Sequence, residues 1–287
     1  MIRHRFRIWE SISKEWLAMI GLTIIIIVLF AAIFSNFLTP KDPMGQDLRK
    51  RLIPPFWSKE GSFDHLLGTD HLGRDILSRI IVGARMSMFV AFTSSFIGMF
   101  IGVSLGLMCG YYLGILDNVI MRIIDVQLAF PVILLVIAMI AAMGQGLINL
   151  ILALGITSWI RYARIVRGET LSVKNRDFIL AIQALGANEF RILTFHVLPN
   201  VTPSIIVMLT FELARVIISE AALSFLGLGV PLDIPSWGGM LSEGRNYLAT
   251  SWWLSTFPGV TIVITVLGIN IFGDWLRDFM EPRTYRR

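Results

Sequence analysis

The chain has 287 residues, 55% of them hydrophobic and only 16% charged, with a formal net charge of +5. A soluble domain carries about 25% charged residues, whereas here the apolar residues recur in separate uncharged blocks of about 20 or more, long enough to cross a bilayer. The cations lie at the ends of those blocks rather than on one basic face, which excludes nucleic acid as a partner, and the single cysteine, Cys109, excludes both a disulfide framework and a thiolate metal cluster.

In residues 1–15, Arg3, Arg5, Arg7 and Lys14 alternate with Ile8, Trp9 and Ile12. That spacing predicts either a short amphipathic helix on the membrane surface or a basic tail that only sets orientation. Residues 16–38 form the first uncharged block, too long for the core of a signal peptide, and are predicted to span. Residues 39–85 are rich in Pro, Asp and Arg and form the main loop outside the membrane. Residues 86–112 are predicted to span next. There Gly98, Gly102, Gly106 and Gly110 recur every four residues, one helix face on which another backbone can approach closely.

The uncharged stretch that follows is too long for one crossing and is divided by Gly144-Gln145-Gly146, so it predicts a third span over 120–143 and a fourth over 147–166. After a basic segment, 167–200, come a fifth span over 201–228, an outer loop over 229–250, a sixth span over 251–273 and a tail over 274–287. The expected fold is an all-α polytopic membrane protein of six transmembrane helices, with a core over 85–274 surrounded by membrane lipid. Positive residues in the short segments place both termini and residues 167–200 in the cytoplasm; the many cations of the 39–85 loop run against that rule, softened by its length and its acids.

Residues 177–193 read as a helix interrupted by Gly186, too polar to span and too apolar to stand idle in solvent. Such a helix either packs on the inner ends of its own chain or docks into another protein. The run Ala181-x-x-Ala184-Leu185-Gly186-Ala187, followed by His196-Val197-Leu198-Pro199-Asn200, resembles the cytoplasmic motif of binding-protein-dependent ABC permeases. Leu67-Gly68-Thr69-Asp70-x-Leu72-Gly73-Arg74-Asp75, Met121-Arg122-Ile123-x-Asp125 with Ala129-Phe130-Pro131, and Gly273-Asp274-x-Leu276-Arg277-Asp278 are similar to the dipeptide, oligopeptide and nickel branch of that family.

The resemblance implies a type I importer permease in a bacterial cytoplasmic (inner) membrane. It would pair with a sister permease, two ATPase subunits on the cytoplasmic face and an external solute-binding protein, and carry peptides or a related small solute such as nickel. It assigns Ala181, Ala184, Leu185, Gly186, Ala187, Phe190, Leu198 and Pro199 to a coupling helix and its surroundings. Where the family motif begins Glu-Ala-Ala, this chain has Leu180-Ala181-Ile182, so an ion pair made by that Glu is in doubt. No Gly-x-x-x-x-Gly-Lys-Ser/Thr phosphate loop occurs, so ATP and its Mg are expected on the partner ATPases and no cofactor is expected in this chain. A secondary transporter working alone is the competing reading.

Glu212, Arg215 and Glu220 fall inside the fifth apolar block, where unpaired charge is costly. Together with Asp125 at the start of the third span, they are candidates for the solute path; the alternative is an internal structural pair, with Glu212 and Arg215 three residues apart on one helix face.

Overall fold

The computed structural model describes residues 15–231 and 233–280. The proposed surface helix at the N-terminus and the end of the tail lie outside the described residues. Secondary structure among the described residues is helical, with an isolated bridge between Thr69 and Asp75. Four helices are long and apolar enough to cross a membrane by themselves, and a bent pair makes a fifth.

Helix α1 (Trp16–Ile33) is apolar on every side and buries only the small residues Ala18, Gly21 and Ala32. A short α2 (Ser35–Leu38) ends it. The loop that follows turns inward on itself and delivers Asp75 as the N-cap of α3 (Ile76–Tyr112), accepting from the Ser78 N–H at 2.9 Å. The helix therefore begins at this cap rather than at residue 86, where the last charge, Arg85, interrupts the apolar run. Thirty-seven residues of α-helix reach about 55 Å, so α3 extends beyond a hydrocarbon layer of about 30 Å.

The third apolar block is not one straight helix. α4 (Gly114–Leu128) and α5 (Val132–Met143) meet at 93°. The break falls at Ala129-Phe130-Pro131, because a proline has no N–H to continue the helix and its ring drives the preceding residue out of the helical region. α6 (Leu147–Lys174) follows a turn closed by the Asn149 side chain, whose Nδ2 donates to the carbonyls of Met143 and Gly144 at 2.9 and 3.0 Å.

The glycine stripe of α3 is the seam against α6. A Cβ on Gly98 would stand 2.6 Å from Ser158 Cβ, one on Gly106 2.7 Å from the Ala163 carbonyl, and one on Gly110 2.6 Å from Thr170 Cβ. Backbone approach this close is what small residues allow in a membrane, where dispersion and packing carry helix association.

Helix α7 (Asp177–Ala184) ends earlier than the expected 177–193. Gly186, at φ +78°, donates to Gln183 O at 2.9 Å, and Ala187 donates to Ile182 O at 3.3 Å. This is the paired-bond stop that a left-handed glycine makes possible. From Glu189 the chain belongs to α8 (Glu189–Phe225), which contains a π turn over Leu193–Val197. Pro199 explains the turn: it cannot donate to the preceding carbonyls and crowds the turn before it, and widening the helix relieves both. The same glycine stop recurs at Gly227 (φ +79°), ending α8 at Phe225 rather than at 228. α9 (Trp237–Gly244), capped by Ser236, and α10 (Trp253–Met280) complete the described residues.

The main core joins α3, α5, α6, α8 and α10 around Trp237, and a second cluster gathers Tyr111, Val166, Ile179, Ile192 and Val197 at the end of the bundle that carries α7. The opposite end carries α9 and the long loop.

Candidate functional site

At the α7 end, Ile179 and Ile192 are fully buried in the second core cluster, with Ile182, Ala187 and Leu198 packed on it. Ala181, Ala184 and Pro199 face solvent. Leu185 is 86% exposed, Phe190 71% and Leu180 51%. The substitution of Leu180 for an acidic residue thus lengthens an apolar ledge. The ledge is fixed to the bundle: Gln183 Nε2 donates to the Tyr111 hydroxyl at 3.2 Å, and Lys174 Nζ donates to the Tyr111 carbonyl at 2.6 Å. A displacement of α7 therefore reaches the ends of α3 and α6 directly.

Glu212 is enclosed between α6 and α8, with 0% exposure. Its Oε1 accepts from Arg215 Nε at 2.9 Å and also from Arg215 Nη2, while Arg161 Nη1 stands 3.7 Å from its Oε2. Arg215 Nη2 donates onward to Ser158 Oγ at 2.7 Å. Glu220 is equally buried; Ser224 Oγ donates to it at 2.7 Å and in turn accepts from the Val230 N–H at 3.3 Å. Glu212 and Glu220 therefore sit inside the helix packing, whereas Asp125 is exposed on α4. Beside Asp125, the bend between α4 and α5 opens a cavity of about 840 Å³, lined by Val126, Gln127, Phe130, Arg122 and Asn118, with Ile156 and Thr157 of α6 as its floor.

The chain matches the model of the binding-protein-dependent transport system inner membrane component over residues 102–286, and that of the N-terminal TM domain of oligopeptide transport permease C over residues 6–55. The di/tripeptide transport system permease protein DppC of Pseudomonas aeruginosa (strain UCBPP-PA14) is 40% identical over 275 residues, covering 96% of this chain and 91% of its own. The dipeptide transport system permease protein DppC of Escherichia coli (strain K12) is 42% identical, covering 96% and 92%. The chain belongs to the binding-protein-dependent transport system inner membrane component family. Its fold is shared by a chain of the MetNI methionine ABC transporter in an inward-facing conformation, with a TM-score of 0.59 and 22% identity over 72% of this chain and 98% of that one. Membership makes it a multi-pass inner-membrane permease.

This permease carries a second cluster that reading the sequence did not assemble. Asp70, in the long loop, accepts from the backbone N–H groups of Leu72 and Arg74 at 2.8 and 2.9 Å and from Arg74 Nε at 2.6 Å, and also from Arg79 Nη1. Glu243 of α9 accepts from Arg74 Nη2 at 2.7 Å and from Arg79 Nη1 at 2.6 Å. The buried Asp70 carboxylate, the largely buried Glu243 carboxylate and two buried guanidiniums thus join the loop, α3 and α9. His71 lies close enough to Asp70 and Glu243 to suggest a metal triad, but both carboxylates already serve the arginines, which neutralises the negative charge a cation requires. Asp117 and Arg167 form another missed pair, a bidentate bridge from α4 to α6. The legible signal for the Asp70 cluster was the number of cations in a loop that the positive-inside rule would not expect to hold them.

Proposed function

We propose that the chain is the permease subunit of an ATP-binding cassette importer for peptides, taking its solute from an external binding protein and driven by separate ATPase subunits. In this reading it makes six crossings: α1, α3, the bent α4–α5 pair, α6, α8 and α10. Both termini and α7 face the cytoplasm, and α9 with the long loop faces outward. α6 counts as a crossing although Arg161 and Arg164 dilute its apolar character, because it is the helix against which the glycine stripe of α3 closes.

The observation that carries the reading is the α7 ledge. Its apolar residues point away from the bundle while its buried face is fixed to α3, α6 and α8, the arrangement a coupling helix requires. An ATPase dimer that grips α7 differently in its two nucleotide states transmits work to the spans through Tyr111 and the second core cluster. ATP and Mg belong to those partners, and a sister permease supplies the other wall of the path. The relatives carry dipeptides and tripeptides by name, and peptides are the solute class proposed here in preference to nickel. Glu212 and Glu220 serve the path through the neighbours they hold, and Asp125 stands beside the cavity at the bend.

Reconstitution in vesicles tests this. The assembly with sister permease, ATPases and binding protein is expected to accumulate labelled dipeptide only with ATP inside the ATPase compartment. Accumulation by the purified chain alone, without an ATPase, would establish a secondary transporter instead.

A further inference from the structure

We infer that Arg161 is the residue that holds the solute's carboxylate on the α7 side of the pathway, and that Glu212 is its positioning residue. The inference rests on the reading of the chain as a peptide permease and goes beyond it in naming the contact and the part of the solute it takes.

Three observations carry it. The first is a count of charge. Glu212 spends Oε1 on Arg215, which binds it through both Nε and Nη2 and is further held by Ser158. Its Oε2, buried and without a hydrogen bond among the described residues, faces Arg161 at 3.7 Å. Among the described residues the two guanidiniums share one carboxylate, so one of the two positive charges has no anion of its own. Arg161 is the more open of the two guanidiniums, so the unbalanced charge stands where an arriving anion can reach it.

The second is exposure. The Arg161 side chain is 49% exposed while Glu212, its acidic neighbour among the described residues, is sealed off. Its donors are therefore aimed by Glu212 but not consumed by it, and a guanidinium presents a planar fork that matches a carboxylate two bonds at a time.

The third is the packing of α6. Trp159, Ile160 and Ala163 lie under Ile124 of α4, Tyr162 lies under Gly102 of α3, and Ser158 faces α8. Beyond Thr157 in the direction of α7, the first exposed residues of α6 are Arg161 and Arg164, about 60° apart on one face of the helix. Ile156 and Thr157 floor the cavity at the bend, and Arg161 follows Thr157 by one helical turn in the direction of α7. A zwitterionic peptide leaving the cavity along this face meets Arg161 next. Its terminal carboxylate supplies the missing counter-charge, and the weak, long contact with Glu212 lets the guanidinium return to its resting partner on release.

The test uses the complete assembly in vesicles, with binding protein saturated by either dialanine or dialanine C-terminal amide. Wild type is expected to transport the free peptide faster than the amide. Arg161→Gln is expected to lower kcat for the free peptide by about ten- to a hundredfold, the worth of a charge-assisted bond, and to leave amide transport unchanged, so that discrimination disappears. Arg161→Lys should recover part of it. Glu212→Gln should narrow the discrimination through kcat, with amide transport again reporting that the assembly is intact. Equal loss for both peptides in Arg161→Gln, or no loss for either, overturns the contact. Equal loss in Glu212→Gln alone overturns the positioning role. Failure of wild type to move either peptide overturns the peptide reading itself, and the inference with it.

Discussion

The two ends of the bundle treat their polar and apolar groups in opposite ways. At the α9 end, charges turn inward: Asp70, Arg74, Arg79 and Glu243 satisfy one another, His65 Nδ1 lies 3.0 Å from Asp75, and Trp237 and Trp253 donate their indole N–H groups to the carbonyls of Ile80 and Thr69. Even its exposed rings lean on each other, with Phe56 and Phe63 centroids 5.3 Å apart and Trp57 set edge-on to Phe257 at 5.9 Å. At the α7 end, Leu185 and Phe190 stand free of the bundle. One end is tied together by buried ion pairs, although Phe63 and Leu48 stay exposed there, and in the proposed reading it receives a visitor that comes and goes. The other, in the same reading, is covered by a neighbour that stays.

The largest effect should come from breaking the self-sufficient end. Asp70→Asn leaves Arg74 and Arg79 buried against a single carboxylate, and losing one partner of a buried ion network costs about 3–5 kcal/mol. Thermal unfolding in detergent should show it, and a shift no larger than that of a ledge variant would dissolve the contrast between the ends. The same residue gives a pH signature. Burial by itself would raise the Asp70 pKa, but attraction to Arg79, the Arg74 N–H and charge, and the Leu72 N–H outweigh it, so the carboxyl is held below its ordinary value. A depressed folded pKa means that the contribution is whole above the unfolded value of about 3.9 and is lost as pH falls toward the folded one. Wild type should therefore lose stability on acidification below about pH 4, more steeply than Asp70→Asn.

A middle-sized effect belongs to the seam between the ends. At Gly102 an added Cβ would run into the Trp159 carbonyl and stand 2.6 Å from Tyr162 Cβ, whereas at Gly168 nothing lies within 4 Å. Gly102→Val should cost about 1–3 kcal/mol by forcing α3 and α6 apart, and Gly168→Ala should stay within about 0.5 kcal/mol. Similar losses at both would mean that close approach does not govern the stripe, since helix propensity alone favours Ala or Val over Gly at either position.

What could be read from the sequence follows from range. The stripe Gly98, Gly102, Gly106 and Gly110 was legible because a period of four is one face of one helix, and the structure puts it against α6. The apolar blocks were legible for the same reason: hydropathy is a property of composition along the chain. It carries no direction, so the 93° bend at Ala129-Phe130-Pro131 was invisible although Pro131 was in view. Arg79 and Glu243 are 164 positions apart, and no local pattern joins them. The end of α7 was misplaced because Phe190 and Ile192 continue the apolar rhythm past Gly186 while belonging to α8. Among the candidate path residues, the pairing of Glu212 with Arg215 was readable from their spacing; the share taken by Arg161 was not, since it comes from another helix.

The smallest change in stability should come from the end that awaits a neighbour, and there it separates folding from coupling. Leu185→Ser with Phe190→Ser removes two side chains that touch little in the bundle, so the purified chain should unfold within about 0.5 kcal/mol of wild type. Ile179, Ile192 and the bonds to Tyr111 are untouched, so α7 keeps its place. In the assembly the same pair should release the ATPase in mild detergent and abolish solute-stimulated hydrolysis, because an apolar contact needs area to replace the water it displaces. Ile179→Ala makes the opposite separation: it opens a void in the second core cluster and should cost about 2–5 kcal/mol. If the serine pair kept its ATPase while Ile179→Ala lost it, docking would depend on the placement of α7 and not on its exposed face, and the ledge would lose its assigned role.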